Sequence, residues 1–433
     1  MANMRLLFVS LCAWLLLLLS LSPASHADAR APRAYNPGSP QGQPPRTVTA
    51  EYMASTYPLS RAGISTENGR QGSFTDVLLT PRTFLDSVLA VRPKILIVNM
   101  FALEASVWLE QFSPSLYSRN ITVPGLSPVF PQVHCTAKAD VCQVTTGEGQ
   151  INAAATMSAL FLSSKFDLRK TYFFIAGVGG ISPERGTLGS AAFARYAIQV
   201  AQQYALDRND APPEWNYTYW NYNTKQPDEY PLLTYGTEVF KLNTALVERA
   251  YNVSKTQAER KLNDSAEAQA YRSRYPNAPA NEGPKVILGD VTTSDLYFTG
   301  RTLSMQFENV VTTLTNGSAT YTTTAQEDNA TLEALVRAQR AGKADYSRAI
   351  VLRTGSDFER APPGLSEYDA FGFAQGGFGP ASANTYIASL PVVEDILQNW
   401  NTVYRRGIPP PTQGFYGDIW QTLRLQSGQA PPL

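Results

Sequence analysis

Val144-Thr145-Thr146-Gly147-Glu148-Gly149-Gln150-Ile151-Asn152-Ala153-Ala154-Ala155 begins as an apolar, β-type run, turns on glycine and enters a helix of small residues. Far down the chain, Val351-Leu352-Arg353-Thr354-Gly355-Ser356-Asp357 starts in the same way and puts Arg353 and Asp357 just beyond a buried strand. Ligands bind at the strand ends of an open α/β sheet, and a carboxylate there is a candidate proton donor or acceptor. Working outward, strand, glycine turn and helix recur from residue 94 onward. Strands are predicted over 94–99, 141–145, 172–176 (ending in Gly177-Val178-Gly179-Gly180), 191–201, 285–288 and 349–353. Helices are predicted over 102–112, 150–164, 237–255, 325–340 and 382–404. This rhythm predicts an α/β fold, a central mixed sheet flanked by helices on both faces.

The stretch 207–282 is too long for an ordinary connection. It opens with Trp215, Tyr217, Tyr219, Trp220, Tyr222 and Tyr230 and reads as an insertion, either a lid or a surface elaboration. Arg5 precedes a continuous apolar run, Leu6 to Leu21, and small residues at Ser25 and Ala27 fit cleavage after Ala27. The expected organisation is a signal peptide at 1–27, a Pro- and Gly-rich leader at 28–50, and one domain over 51–433 carrying the insertion. The competing reading of the apolar run is a retained anchor. No later stretch approaches the ~18–20 apolar residues that span a bilayer, so no transmembrane span is expected after signal removal. The expected location is secreted, or at the cell surface or wall.

At 433 residues and 43% hydrophobic, the chain can bury a sizeable core. A formal net charge of +0 without Lys/Arg clusters argues against a nucleic-acid partner. Cys12 would leave with the signal. Cys135 and Cys142 flank a turn at 138–140, and an oxidising route predicts a disulfide, with two buried thiols as the alternative. Asn-X-Ser/Thr sequons begin at Asn120, Asn216, Asn252, Asn263, Asn316 and Asn329. Glycan is expected on several of them, but not on Asn329, which falls in a motif read as pocket-lining. After signal removal His134 is the single histidine, which leaves no Ser-His-Asp triad and no multi-histidine zinc site. Neither a metal nor a cofactor is expected. The turn Gly147–Ile151 is like a phosphate cradle but lacks the Lys-Ser/Thr of a P-loop.

The succession of blocks says more than any one of them. Lys94–Asn99 leads to Glu104; then come Thr146–Ala154, Ala176–Pro183, Gly289–Phe298, Gln326–Ala330 and Arg353–Asp357. This order resembles the nucleoside phosphorylase and nucleosidase superfamily. With Tyr235-Gly236-Thr237-Glu238-Val239-Phe240-Lys241-Leu242-Asn243 it is similar, more narrowly, to the purine nucleoside permease family. The resemblance runs from about Pro93 to the C-terminus.

It implies a purine nucleoside as ligand and a homo-oligomer, since the superfamily often dimerises or trimerises. Asp357 matches the aspartate beside the purine N7, where a protonated carboxyl gives the leaving base its proton. Arg353 matches the arginine of the same strand and is grouped with the base site. Glu327 matches a ribose-binding glutamate, with Gln326 standing where relatives keep methionine. Tyr297 falls where an aromatic stacks on the base. Gly177 and Val178 fall where backbone approaches base and sugar, Gly177 replacing a serine of some relatives. Glu104 matches the glutamate that hydrolytic relatives hold near the attacking water. No arginine stands in Asn99–Glu104, where phosphorylases keep one for phosphate, so water is the implied acceptor. The residues alone allow blander roles: a helix N-cap for Asp357, an exposed first-turn position for Glu104, a first-turn glutamate stabilised by the helix dipole for Glu327, core packing for Tyr297. Two functions stay open, hydrolysis of the N-glycosidic bond and non-catalytic nucleoside binding in uptake.

Overall fold

The computed structural model describes residues 90–372, 374–411, 417 and 418. The expected signal peptide, the leader and the domain start up to residue 89 lie outside the described residues. The described elements belong to one compact unit, 77–433. In chain order they begin with β1 (Ile95–Asn99), α1 (Ala102–Gln111), β2 (Arg119–Thr122), β3 (Gln132–Cys135), β4 (Val141–Thr145) and α2 (Gln150–Leu162). There follow β5 (Tyr172–Ile181), β6 (Ala191–Phe193), β7 (Tyr196–Gln199), β8 (Tyr204–Ala205), β9 (Tyr219–Trp220), β10 (Val239–Lys241), α3 (Thr244–Gln257) and α4 (Ala266–Arg272). The last are β11 (Val286–Leu288), β12 (Asp290–Thr293), α5 (Arg301–Thr315), β13 (Tyr321–Ala325), α6 (Asp328–Arg340), β14 (Ala349–Phe358), α7 (Glu367–Gly372) and α8 (Phe378–Gln398).

Among the described residues, twelve strands form one mixed sheet. Its middle is parallel, with β4, β1, β5 and β14 side by side. β13 pairs antiparallel to the second half of β5, and β2–β3 extend the other edge as an antiparallel hairpin. The central strands are continuous apolar runs: Ile95–Val98, Phe173–Ala176 and Ala349–Leu352 have no exposed surface. Such runs mark strands covered on both faces. The covering is visible at two neighbours on β14. Thr354 Oγ1 donates to Ala381 O of α8 at 2.9 Å, while the Arg353 guanidinium reaches Asp328 at the start of α6. Adjacent strand residues point to opposite faces, so α6 and α8 lie on opposite sides of the sheet. Cys135 and Cys142 are joined by a disulfide across the β3–β4 pair.

Several predicted boundaries move. Gly177-Val178-Gly179-Gly180 does not end a strand; β5 runs on to Ile181. Glycine is needed here for close approach. A Cβ on Gly179 would lie 2.1 Å from Thr324 O of β13, and one on Gly180 would lie 2.5 Å from Thr324 Oγ1. The single strand predicted over 191–201 is two, broken at Ala194-Arg195. There the buried Asp290 carboxylate accepts from Arg195 N at 2.8 Å and from Tyr196 N at 3.0 Å. The helix predicted from 237 starts at Thr244, where the Asn243 side chain accepts from Leu246 N, and Val239–Lys241 is an edge strand instead. The helix predicted from 325 starts at Asp328, because Tyr321–Ala325 is strand.

Within 207–282, β10 and α3 pack into the main body. The aromatic stretch packs on itself, as in Trp215–Trp220 at 5.4 Å and Tyr222–Tyr235 at 5.0 Å between ring centroids. Asn120, Asn216, Asn252, Asn263 and Asn316 are exposed. Asn329 is buried: its Oδ1 accepts from Thr293 Oγ1 at 2.6 Å, and its Nδ2 donates to Thr237 O and Glu238 O. It lies in the pocket motif but points away from the pocket.

Candidate active site

A cavity of about 560 Å³ opens where β5, β13 and β14 meet. Met100, Phe101 and Glu104 after β1 line one side, and Ser294 and Leu296–Thr299 after β12 another. Glu148, Thr324–Glu327, Arg353, Ser356–Phe358, the β5 residues Val178–Gly180 and a cover from Phe371 and residues 374–379 complete it. None of the lining residues comes from 207–282; the cover comes from Phe371 of α7, residues 374–377 and the first two residues of α8.

Glu104 is buried, not an exposed first-turn residue. Its Oε2 accepts from Met100 N and its Oε1 from Val178 N, both at 2.8 Å. Burial pushes its carboxyl up to about 7, against the pull of the Arg353 guanidinium. Glu327, also buried, accepts from Gly149 N at 2.9 Å through Oε1 and from Arg353 Nη2 at 3.3 Å through Oε2. Burial raises its pKa as well.

Arg353 lies inside β14 with 2% of its surface exposed, so it is not beyond the strand end as its sequence position suggested. Its bonds go to Asp328, Glu327 and the Val178 carbonyl, which ties it to the acidic side of the cavity. Gly177 is not a lining residue. A Cβ there would stand 2.2 Å from Glu104 Oε1, so the residue makes room for the carboxylate. Val178 lines the cavity, as do Gly179 and Gly180.

No helix follows Asp357 to be capped; β14 continues to Phe358. The pairing of β14 with β5 slips between Gly355 and Asp357, leaving Ser356 as an extra residue. Bulges of this kind re-aim side chains at strand edges and sites, and here both Ser356 and Asp357 line the cavity. Burial raises the Asp357 pKa. The Ser356 hydroxyl lies 2.6 Å from Asp357 Oδ1 and 3.0 Å from Gly179 O. A hydroxyl has one proton, and when that proton goes to the Gly179 carbonyl, Ser356 can only accept from Asp357. That arrangement suits a protonated carboxyl. Tyr297 is 63% exposed, which removes the core-packing reading. Its hydroxyl lies 3.4 Å from Asp357 Oδ2, and its ring meets Phe371 at 6.0 Å between centroids.

Gln326 lines the cavity, and its Nε2 donates to Asp295 O at 3.3 Å. The first amide N–H groups of the α2 turn are already taken. Gly149 N goes to Glu327 and Gln150 N to Asp295 Oδ1 at 2.8 Å. A phosphate would have to displace two carboxylates from this cradle.

The resemblance groups Glu104, Glu327, Tyr297 and Asp357 in one site, and these four line one cavity. Asp328, Ser356 and the cover were not foreseen. Asp328 and Ser356 sit inside quoted motifs, next to residues already chosen. The cover could have been suspected from Gly376-Gly377 ahead of a long helix.

A purine nucleoside permease family model matches residues 92–409. A purine nucleoside permease of Candida albicans is 44% identical over 337 residues, covering 77% of this chain and 82% of that protein. A Schizosaccharomyces pombe protein named "Probable purine nucleoside permease" is 36% identical over 322 residues, covering 72% and 90%. Among solved structures, a 5′-methylthioadenosine/S-adenosylhomocysteine nucleosidase of Neisseria meningitidis superposes with TM-score 0.41 at 11% identity, over 70% of this chain and 99% of that one. Futalosine hydrolase of Helicobacter pylori does so with TM-score 0.43 at 14% identity, over 70% and 98%.

Proposed function

The chain belongs to the purine nucleoside permease family, and from that membership we propose that it binds purine nucleosides in the cavity and hydrolyses their N-glycosidic bond. The observation that carries this reading is the pair Glu104 and Asp357. Glu104 is buried and Asp357 half-buried, and burial raises the pKa of both; Glu104 accepts from Val178 N of β5, and Asp357 stands opposite Gly180 of the same strand. Val178 and Gly180 lie two residues, roughly 7 Å, apart along β5, and Glu104 and Asp357 line the same cavity, where a water and a proton donor can serve one reacting sugar. Ionised Glu104 takes a proton from the water that attacks C1′. The C1′–N9 bond breaks as the new C–O bond forms, and protonated Asp357 delivers its proton to N7 of the departing purine. Glu327 accepts from the ribose hydroxyls and offsets the positive charge growing on the sugar. Tyr297 stacks on the base.

Water is the acceptor in this reading because the cradle at Gly149-Gln150 is filled by the Glu327 and Asp295 carboxylates. Among the described residues, the one cationic side chain lining the cavity is Arg353, and it is bound to carboxylates. Purified protein incubated with inosine, adenosine or guanosine should release free base and ribose at the same rate with and without phosphate. Ribose 1-phosphate as product would make it a phosphorylase.

A second reading, nucleoside binding in uptake, is favoured by the names of the relatives. No helix among the described residues is long and apolar enough to cross a membrane, so under this reading a separate carrier moves the solute. Tight nucleoside binding without turnover would select it. For either reading the proposed place of action is outside the cell membrane, after removal of residues 1–27. The exposed sequons and the Cys135–Cys142 disulfide support that route.

A further inference from the structure

One buried carboxylate of the ionic cluster has no part in the chemistry above. Asp328 is wholly buried and borders no part of the cavity. It nevertheless holds the best-aligned bonds of Arg353: Nε to Oδ2 and Nη2 to Oδ1, each at 3.0 Å. Glu327 is reached at 3.3 Å, and Glu104 stands 3.9 Å from Nη1, an ion pair without a hydrogen bond. A guanidinium gives its strongest interaction to a carboxylate that meets its fork in bidentate register. We propose that Asp328 is a positioning residue that keeps the Arg353 guanidinium turned away from Glu104 and leaves that carboxylate free to take a proton from water. The role in water activation rests on the hydrolytic reading above.

The charged surroundings of Glu104 are few. Arg353 and Asp357 come from β14, Glu327 and Asp328 from the start of α6, and Glu148 from the turn before α2. β1, β4 and β5 carry no charged residue, and α8 carries none before Glu394. One guanidinium therefore serves three carboxylates, and whichever binds it edge-on decides how much of its charge the others feel. A neutral residue at 328 frees the Arg353 fork to turn onto Glu104. A close cation in a buried site favours the ionised carboxylate and lowers its pKa.

The test uses the full chain labelled with ¹³C-glutamate, with the Glu104 carboxyl signal assigned by its loss in Glu104→Gln. In Asp328→Asn the titration midpoint of Glu104 should fall by ~1 pH unit or more, and Asp328→Glu should restore it. If Asp328→Asn does not fold, Asp328→Ser, which leaves space for water, carries the same expectation. The acid limb of kcat/KM for nucleoside cleavage should move down in step. An unmoved midpoint in a folded variant overturns the role of Asp328, whatever the wild type does to nucleosides. Absence of cleavage by the wild type overturns the hydrolytic reading, and the titration still decides whether Asp328 steers Arg353.

Discussion

The carboxylate of Glu104 fills the space that a side chain on Gly177 would need. A Cβ at Gly177 would lie 2.2 Å from Glu104 Oε1 and 2.8 Å from Arg353 Nη1. A serine at this place cannot be accommodated without moving Glu104. Gly177→Ala should therefore displace the carboxylate and its bond to Val178 N. Overpacking a close-packed site costs ~1–3 kcal/mol, to be read from denaturant unfolding. Cleavage should fall by ~10²-fold or more, the size of effect that a misplaced group produces. Unchanged turnover in Gly177→Ala would contradict the placement of Glu104.

The pH dependence of cleavage should follow two groups with opposite requirements. Glu104 must be ionised to act as base, so kcat/KM should rise as pH passes through about 7. Asp357 must keep its proton, and burial holds its pKa above the ordinary aspartate value, so the rate should fall once pH passes that raised value. Glu104→Gln should remove the rising limb and lower the rate by ~10²–10⁴. Stability carries the same signature. The folded chain keeps a proton on Glu104 that the unfolded chain releases from its ordinary value of 4.5 upward. The associated stabilisation is full below that value and is lost as pH rises through about 7, with a slope of at most ~1.4 kcal/mol per pH unit. Urea titrations at several pH values should show this slope reduced in Glu104→Gln.

Asp357→Asn keeps the shape of the proposed donor and cannot supply its proton. The amide N–H of the variant can donate to Ser356 Oγ while the hydroxyl proton stays on Gly179 O, so the bulge should survive. Turnover should drop by ~10²–10⁴ while nucleoside binding, measured by calorimetry, stays within a few-fold. Loss of binding without any specific loss of turnover would return Asp357 to a structural role.

Tyr297 is exposed and touches Asp357 and Phe371 at the cavity, so its removal disturbs little of the core. Tyr297→Ala should weaken nucleoside binding by about 1 kcal/mol or more and leave the melting temperature nearly unchanged. Equal affinity in variant and wild type would exclude stacking on the base.

Much of this was legible in one dimension because it rests on local chemistry. Ile95–Val98 and Ala349–Leu352 are apolar runs, and an apolar run of strand length belongs in a covered sheet. The threonine-rich strands β12 and β13 were not legible, because Thr292, Thr293, Thr322 and Thr323 are buried polar residues that break the apolar pattern. Thr292 is accommodated by donating to Thr323 O at 3.0 Å, a partner on the neighbouring strand. Helix α5 did carry a signal, with Leu303, Phe307, Val310, Val311 and Leu314 at helical spacing. It went unread.

The sequence by itself determined the fold class and the family, because strand, glycine and helix signals and the order of motifs all run along the chain. The tertiary structure alone decided how charge is shared there. Arg353 lies beside Asp328, Glu327 and Glu104 only because the starts of α6 and α1 meet at β14. Burial, and not any neighbour in sequence, lifts Glu104 to about 7. Spacing along the chain can propose which carboxylates meet. Which of them holds the guanidinium depends on distances of a few tenths of an ångström set by the packing of distant elements.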